Sequence, residues 1–257
     1  MASVSAAPRD LGELADPSRT IVTDWRDCRP VELTDLLRHA SEAFYEQGFH
    51  GTSVRDIAAR VGVTVPALYY RHENKEAILV AVLRSVMADL LPRGEAAVAD
   101  GQGDPVREMA NLIESVVLHL TVRARVASLD TEYRYLGPEA RARYTELRRS
   151  NELLMRSVVA RGIEQGVFVA DDASETTRGL LGMFQAIARW YHESGTLTPE
   201  QVARRYVEMS LAMLGVSREE RDRLAAERDP SVAQSNEPVA PEVLAQDASG
   251  DWDFVTW

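Results

Sequence analysis

A single cysteine, Cys28, is present among 257 residues. That excludes an intramolecular disulfide framework and any zinc site built from several thiolates. Aromatic residues make up only 7% of the composition, and no eighteen consecutive apolar residues occur, so no membrane span is expected. The opening MASVSAAPRD has neither a basic region nor an apolar stretch. No secretory leader is expected, and the expected location is cytoplasmic. Catalytic fingerprints are missing as well. Gly101-Gln102-Gly103 lacks a third glycine and a preceding strand, and no HExxH, GxSxG or phosphate-loop pattern occurs. His39, His50, His72, His119 and His192 are not spaced as metal ligands. The chain reads as a non-enzyme with no metal and no cofactor.

Lysine is almost missing too, since Lys75 stands alone against 28 arginines. A net charge of −11 would by itself argue against nucleic acid. The charge is unevenly spread, however. Residues 34–93 carry seven basic and seven acidic groups, whereas residues 217–257 carry four and ten. Most of the acidic excess is therefore expected in a tail, and the segment holding Lys75 is neutral.

What is abundant is alanine, 33 residues of it, and helical periodicity. Thr34 can cap a helix whose apolar positions Leu36, Leu37, Ala40, Ala43 and Phe44 follow 3 and 4 spacing, with Gly48 as its stop. Short helices are expected from Ser53 to Val61 and from Thr64 to Tyr70. A fourth should run from Asn74 to Leu91, ended by Pro92 and Gly94. Further helices are expected near 105–127, 128–136, 138–166, 172–194 and 198–215. No alternating β-branched run competes, so the fold class is all-α with about nine helices. Residues 1–30 read as a flexible arm, 31–93 as a first domain, 94–216 as a second, and 217–257 as an acidic tail that opens with the charged, helix-like run SREERDRLAAERD and is mostly disordered.

Residues 52–75, TSVRDIAARVGVTVPALYYRHENK, meet the requirements of a helix-turn-helix. Thr52 or Ser53 supplies a cap, and Asp56 sits in the first turn. Ala58 is small where helices cross, and Gly62 permits the turn. Thr64 caps the next helix and Pro66 suits its first turn. Leu68 faces inward, which leaves Thr64, Val65, Pro66, Tyr69 and Tyr70 for a major groove. Lys75 and the following helix start can grip phosphate. Arm arginines such as Arg26 and Arg29 have a minor groove within reach, although a free arm is the expectation.

The stretch FYEQGFHGTSVRDIAARVGVTVPALYYRHENKEAIL resembles the TetR family of bacterial transcriptional regulators, over about Val31 to Leu91. The resemblance implies that Thr52, Ser53, Arg55, Thr64, Val65, Pro66, Tyr69, Tyr70, Arg71 and Lys75 face a double-stranded DNA operator. It also implies a variable helical domain for ligand binding and dimerisation in 94–216. There, Gly179, Gly182 and Ala186 form a small-residue strip for close helix approach. With Phe184, Ile187, Tyr206, Met209 and Met213 they are the expected homodimer interface.

A looser resemblance of residues 130–168 and 180–211 is to a branch released by acyl-CoA thioesters. It implies a pocket that includes His119, with Arg123, Arg125, Arg134 and Arg141 for phosphates. Met155, Met183, Phe184 and Trp190 would line an acyl channel. Another apolar effector is the alternative. The rival function is a helical small-molecule-binding or scaffold protein that does not bind DNA.

Overall fold

The computed structural model describes residue 22 and residues 24–228. Among the described residues there is no strand, and the order is all helical. Four helices come first: α1 (Asp35–Gly51), α2 (Val54–Val61), α3 (Val65–Arg71) and α4 (Lys75–Met87). The body follows with α5 (Leu90–Asp100), α6 (Pro105–Val122), α7 (Ala124–Ala127), a 3-10 segment (Ser128–Tyr135) and α8 (Pro138–Glu164). It ends with α9 (Ala173–Gln185), α10 (Ile187–Trp190) and α11 (Pro199–Met213). A further helix, α12 (Arg218–Arg228), belongs to a separate compact unit beginning at Ser217.

Caps explain most of the boundaries. Thr34, Thr64, Asn74, Asp172 and Thr198 each accept a backbone N–H through the side chain at a helix start. Gly48 kinks α1 at φ 70°, and Gly62 closes α2 at φ 76°, conformations that side chains with a Cβ rarely adopt. The apolar faces of α1 to α4 meet in one core of Leu36, Phe44, Ile57, Leu68, Ile78 and Leu83. Leu129, Leu136 and Tyr144 of the body join that core. Helix α6 is the axis of the body, packed by α5, α8, α9, α10 and α11 and buried on nearly every side.

Three expectations change. The fourth helix does not reach Leu91; the break is at Ala88–Asp89, and Pro92 and Gly94 lie inside α5. Pro92 is tolerated in a first turn because an N–H there has no intrahelical acceptor. The 172–194 run breaks at Ala186 and stops at Trp190. The tail begins with α12, in line with its charged, helix-like opening run; residues 229–257, with Trp252, Phe254 and Trp257, lie outside the described residues. Finally, residues 24–30 are not a free arm. Trp25 is buried, and its Nε1 donates to Asp100 Oδ2 at 3.1 Å. Arg26 pairs with Asp100 and Glu114, so it is not held out for a groove. Arg29 is exposed and paired with Asp27.

Candidate nucleic-acid interface

Helices α2 and α3 are held by their caps and by one plug. Ser53 Oγ accepts from Asp56 N at 3.2 Å while Ser53 N donates to Asp56 Oδ2 at 2.9 Å, a reciprocal box that fixes the start of α2. The Ser53 hydrogen bonds hold the Asp56 carboxyl below its ordinary value. Thr64 Oγ1 accepts from Ala67 N at 3.3 Å and starts α3, with Pro66 in its first turn. Leu68 is fully buried and locks α3 onto the core.

What remains outside is a set of polar and aromatic side chains on α2, α3 and their caps. Ser53, Arg55, Thr64, Pro66, Tyr69, Tyr70 and Arg71 are all exposed. Tyr69 is 47% and Tyr70 93% exposed. Tyr70, left that open, contributes little to the core and is available for an external contact. Phenol hydroxyls, guanidiniums and cap hydroxyls are donors suited to phosphate oxygens and base edges.

Three expected contacts are placed differently. Thr52 is buried, with its hydroxyl donating to Ala43 O and Gly48 O. Lys75 is half-buried. Its Nζ donates to Phe49 O at 2.6 Å and Thr52 O at 2.8 Å and lies 4.3 Å from the Phe49 ring centroid. Burial lowers its pKa. Lys75 thus ties the end of α1 to the start of α2 rather than reaching for phosphate. Val65 is half-buried and packs against the core.

The body arginines do not converge. Arg123 is buried and committed: Nη2 donates to Asp89 Oδ2 at 2.7 Å, Nη1 to Asp89 Oδ1, and Nε to Arg29 O at 2.9 Å. His119 is buried beside it, its Nδ1 3.1 Å from Arg123 Nη1. Burial, then the Arg123 charge, pulls the imidazole down to about 3, so it is neutral. Arg125 stands 5.9 Å from the Tyr45 ring, Arg134 lies over Tyr135, and Arg141 donates to the Leu136 and Arg134 carbonyls. Arg123 and Arg125 instead line a groove of about 250 Å³ between Pro30–Leu33, α1 and the end of α6. Met155 and Phe184 are buried, Met183 half-buried and Trp190 exposed.

Of the expected interface residues, Gly179, Gly182, Ala186, Met209 and Met213 form an open face on α9, its exit and α11. Phe184, Ile187 and Tyr206 turn inward, with Phe184 and Tyr206 in ring contact at 6.0 Å. They belong to the protomer's own core.

Comparison with known proteins agrees with this geometry. Residues 36–82 match the family model described as bacterial regulatory proteins, tetR family. Residues 102–214 match the tetracyclin repressor-like C-terminal domain. The chain is 30% identical over 191 residues to the HTH-type transcriptional repressor KstR2 of Mycobacterium tuberculosis, covering 72% of this chain and 92% of that one. The chain belongs to the TetR family. TetR-family proteins of this kind are transcriptional regulators rather than enzymes, and the α2–α3 unit is a DNA-binding helix-turn-helix. Among solved structures, PfmR of Thermus thermophilus superposes with a TM-score of 0.64 at 30% identity, covering 70% of this chain and 98% of that one. AibR, solved in complex with isovaleryl coenzyme A and operator DNA, gives 0.59 at 27% identity, covering 68% and 95%.

The polar cluster of Asp89, Arg93 and Arg123 with the segment 25–29 was not visible in the sequence. Asp89/Arg93 and His119/Arg123 each stand four apart, which marks a shared helix face. What joins them to residues 25–29, however, is a set of backbone carbonyls that carry no sequence signature.

Proposed function

We propose that this chain is a one-component repressor that binds a palindromic operator as a homodimer and is released by a small effector held in the body. The carrying observation is the exposed face of Ser53, Arg55, Thr64, Pro66, Tyr69, Tyr70 and Arg71 on two rigidly capped helices. Dimerisation is supported by the uncovered strip of Gly179, Gly182, Ala186, Met209 and Met213. Small residues let helices approach, and apolar ends beside them favour a second copy related by a twofold axis. Two linked heads read two half-sites. An effector weakens that binding only by favouring a conformation that spaces the heads differently.

The effector class is an apolar compound, with acyl-CoA thioesters as the first candidates. The favouring observation is the likeness to AibR, whose structure holds isovaleryl coenzyme A. A mobility shift on the intergenic DNA beside its own gene tests operator binding. Absence of any shift favours a helical binding or scaffold protein without DNA function. A titration of the protein–DNA complex with acyl-CoA esters and the matching free acids tests the effector. Release by the acids alone overturns the thioester reading.

A further inference from the structure

Helix α1 is fastened to the body at both of its ends, by contacts that neither the helix-turn-helix nor the dimer face accounts for. At its start, the segment leading into it is gripped by two guanidiniums. Arg93 Nη1 donates to Trp25 O at 2.8 Å and Asp27 O at 3.0 Å, and Arg123 Nε donates to Arg29 O at 2.9 Å. Both arginines are over nine-tenths buried and share the Asp89 carboxylate. Burial alone would raise that carboxyl, but hydrogen bonds and charge from Arg123, then Arg93, bring it to about 2. Asp89 lies at the α4–α5 break, and Arg29 is only a few residues before the Thr34 cap of α1. At the other end of α1, Phe49 N donates to Glu132 Oε2 at 3.0 Å, and the Phe49 ring stacks on Tyr135 at 6.1 Å. Phe49 O in turn holds Lys75, whose second bond is to Thr52, the residue before the α2 cap.

We propose that the Trp25–Arg29 strap and Glu132 are positioning elements for operator binding: they pin the two ends of α1 to the body, so that a rearrangement in the body reaches the helix-turn-helix through α1. This inference rests on the repressor reading above. The physical ground is that a covalent link at one end alone leaves α1 free to rotate, whereas fixed points just before its Thr34 cap and just past its Gly48 kink restrict that rotation. Two half-sites tolerate little rotation of either head. Charge-assisted bonds to carbonyls inside a water-poor cluster are also strong enough to act as pins.

The test uses the full chain and a duplex selected from random sequence by the unaltered protein. One variant carries Trp25→Ala with Arg26→Ala, which removes the strap's side-chain bonds to Asp100 and leaves the Asp89, Arg93 and Arg123 side chains in place. The other carries Glu132→Gln, which keeps the shape and weakens the bond to Phe49. Dimer mass, helix content, operator affinity and amide exchange are measured on the same preparations. Expected are retained dimer and helix content and operator affinity lower by about tenfold for the strap variant and about threefold for Glu132→Gln. Faster exchange should be confined to the first and last turns of α1. Affinity within the error of the unaltered protein in both variants overturns the proposal. So does a loss accompanied by an even rise in exchange across the body, which would make these residues general stabilisers. Failure of the unaltered protein to select any duplex defeats the repressor reading instead, and the inference with it.

Discussion

Two faces of this protein hold large side chains out into solvent, and they are built from opposite chemistry. The α2–α3 face offers phenols, guanidiniums and hydroxyls, with Tyr70 and Arg71 at its edge. The α9–α11 face offers thioethers and bare backbone: Met209 and Met213 beside Gly179 and Gly182. Exposed hydrophobic area alone would have marked both as equivalent. What separates them is the pairing of open thioethers with small residues, which only the second has. Open phenols, guanidiniums and hydroxyls suit a polyanion, whereas exposed methionines beside small residues suit a copy of itself.

The sharpest way to break that distinction is to put charge on the second face. Met209→Asp combined with Met213→Asp should convert the dimer to monomers in sedimentation, because a desolvated carboxylate pair would meet its own image. Operator affinity should fall by roughly a hundredfold or more, since one head then reads one half-site. A dimer that survives moves the interface elsewhere. On the first face, Tyr70→Ala and Arg71→Ala should each cost about 1–3 kcal/mol of operator binding with the dimer intact. Arg71→Ala should also lower the salt slope by about one unit. Unchanged affinity in both would remove α3 from the groove.

Acidity probes the interior that lies between the faces. The folded His119 value, about 3, is far below the ordinary 6.5 of an unfolded histidine. Between those values the unfolded chain binds the extra proton, so its stabilising contribution is full above pH 6.5 and shrinks as pH falls. The slope should approach about 1.4 kcal/mol per pH unit. Asp89 acts in the same direction further down, from 3.8 towards about 2. Denaturant melts across pH 7 to 4.5 should show the slope, and His119→Gln should flatten it. A slope that persists in His119→Gln assigns it to other groups.

The smallest effect concerns Lys75. Lys75→Met should lower stability by about 1 kcal/mol through two lost bonds to carbonyls. The salt slope of operator binding should stay put, in contrast to Arg71→Ala. A slope reduced by one unit would return Lys75 to the phosphate backbone.

The first four helices were legible because their signals are local. The cap, small residue, glycine and plug of 53–68 each act within a few positions, and the order survives without tertiary information. The α4–α5 break was not legible, since Pro92 and Gly94 look like a stop and serve as a first turn. The strap was hidden for another reason: Arg93 and Arg123 hold the backbone of residues 25, 27 and 29 rather than their side chains. The exposure of the expected interface residues was half legible. Periodicity marked Phe184, Ile187 and Tyr206 as apolar, but only packing tells which side of a helix faces its own core and which faces outward.

The placement of Lys75 also makes the protein its own reporter. It carries the chain's one side-chain amine, and that amine donates to two carbonyls at the corner between α1 and α2. An acylating reagent reaches it more readily when those bonds let go. The rate at which Lys75 is labelled therefore responds to opening of the corner that carries the reading head. Followed by mass spectrometry with and without DNA, that single rate would show whether the head is quieter when the operator is bound.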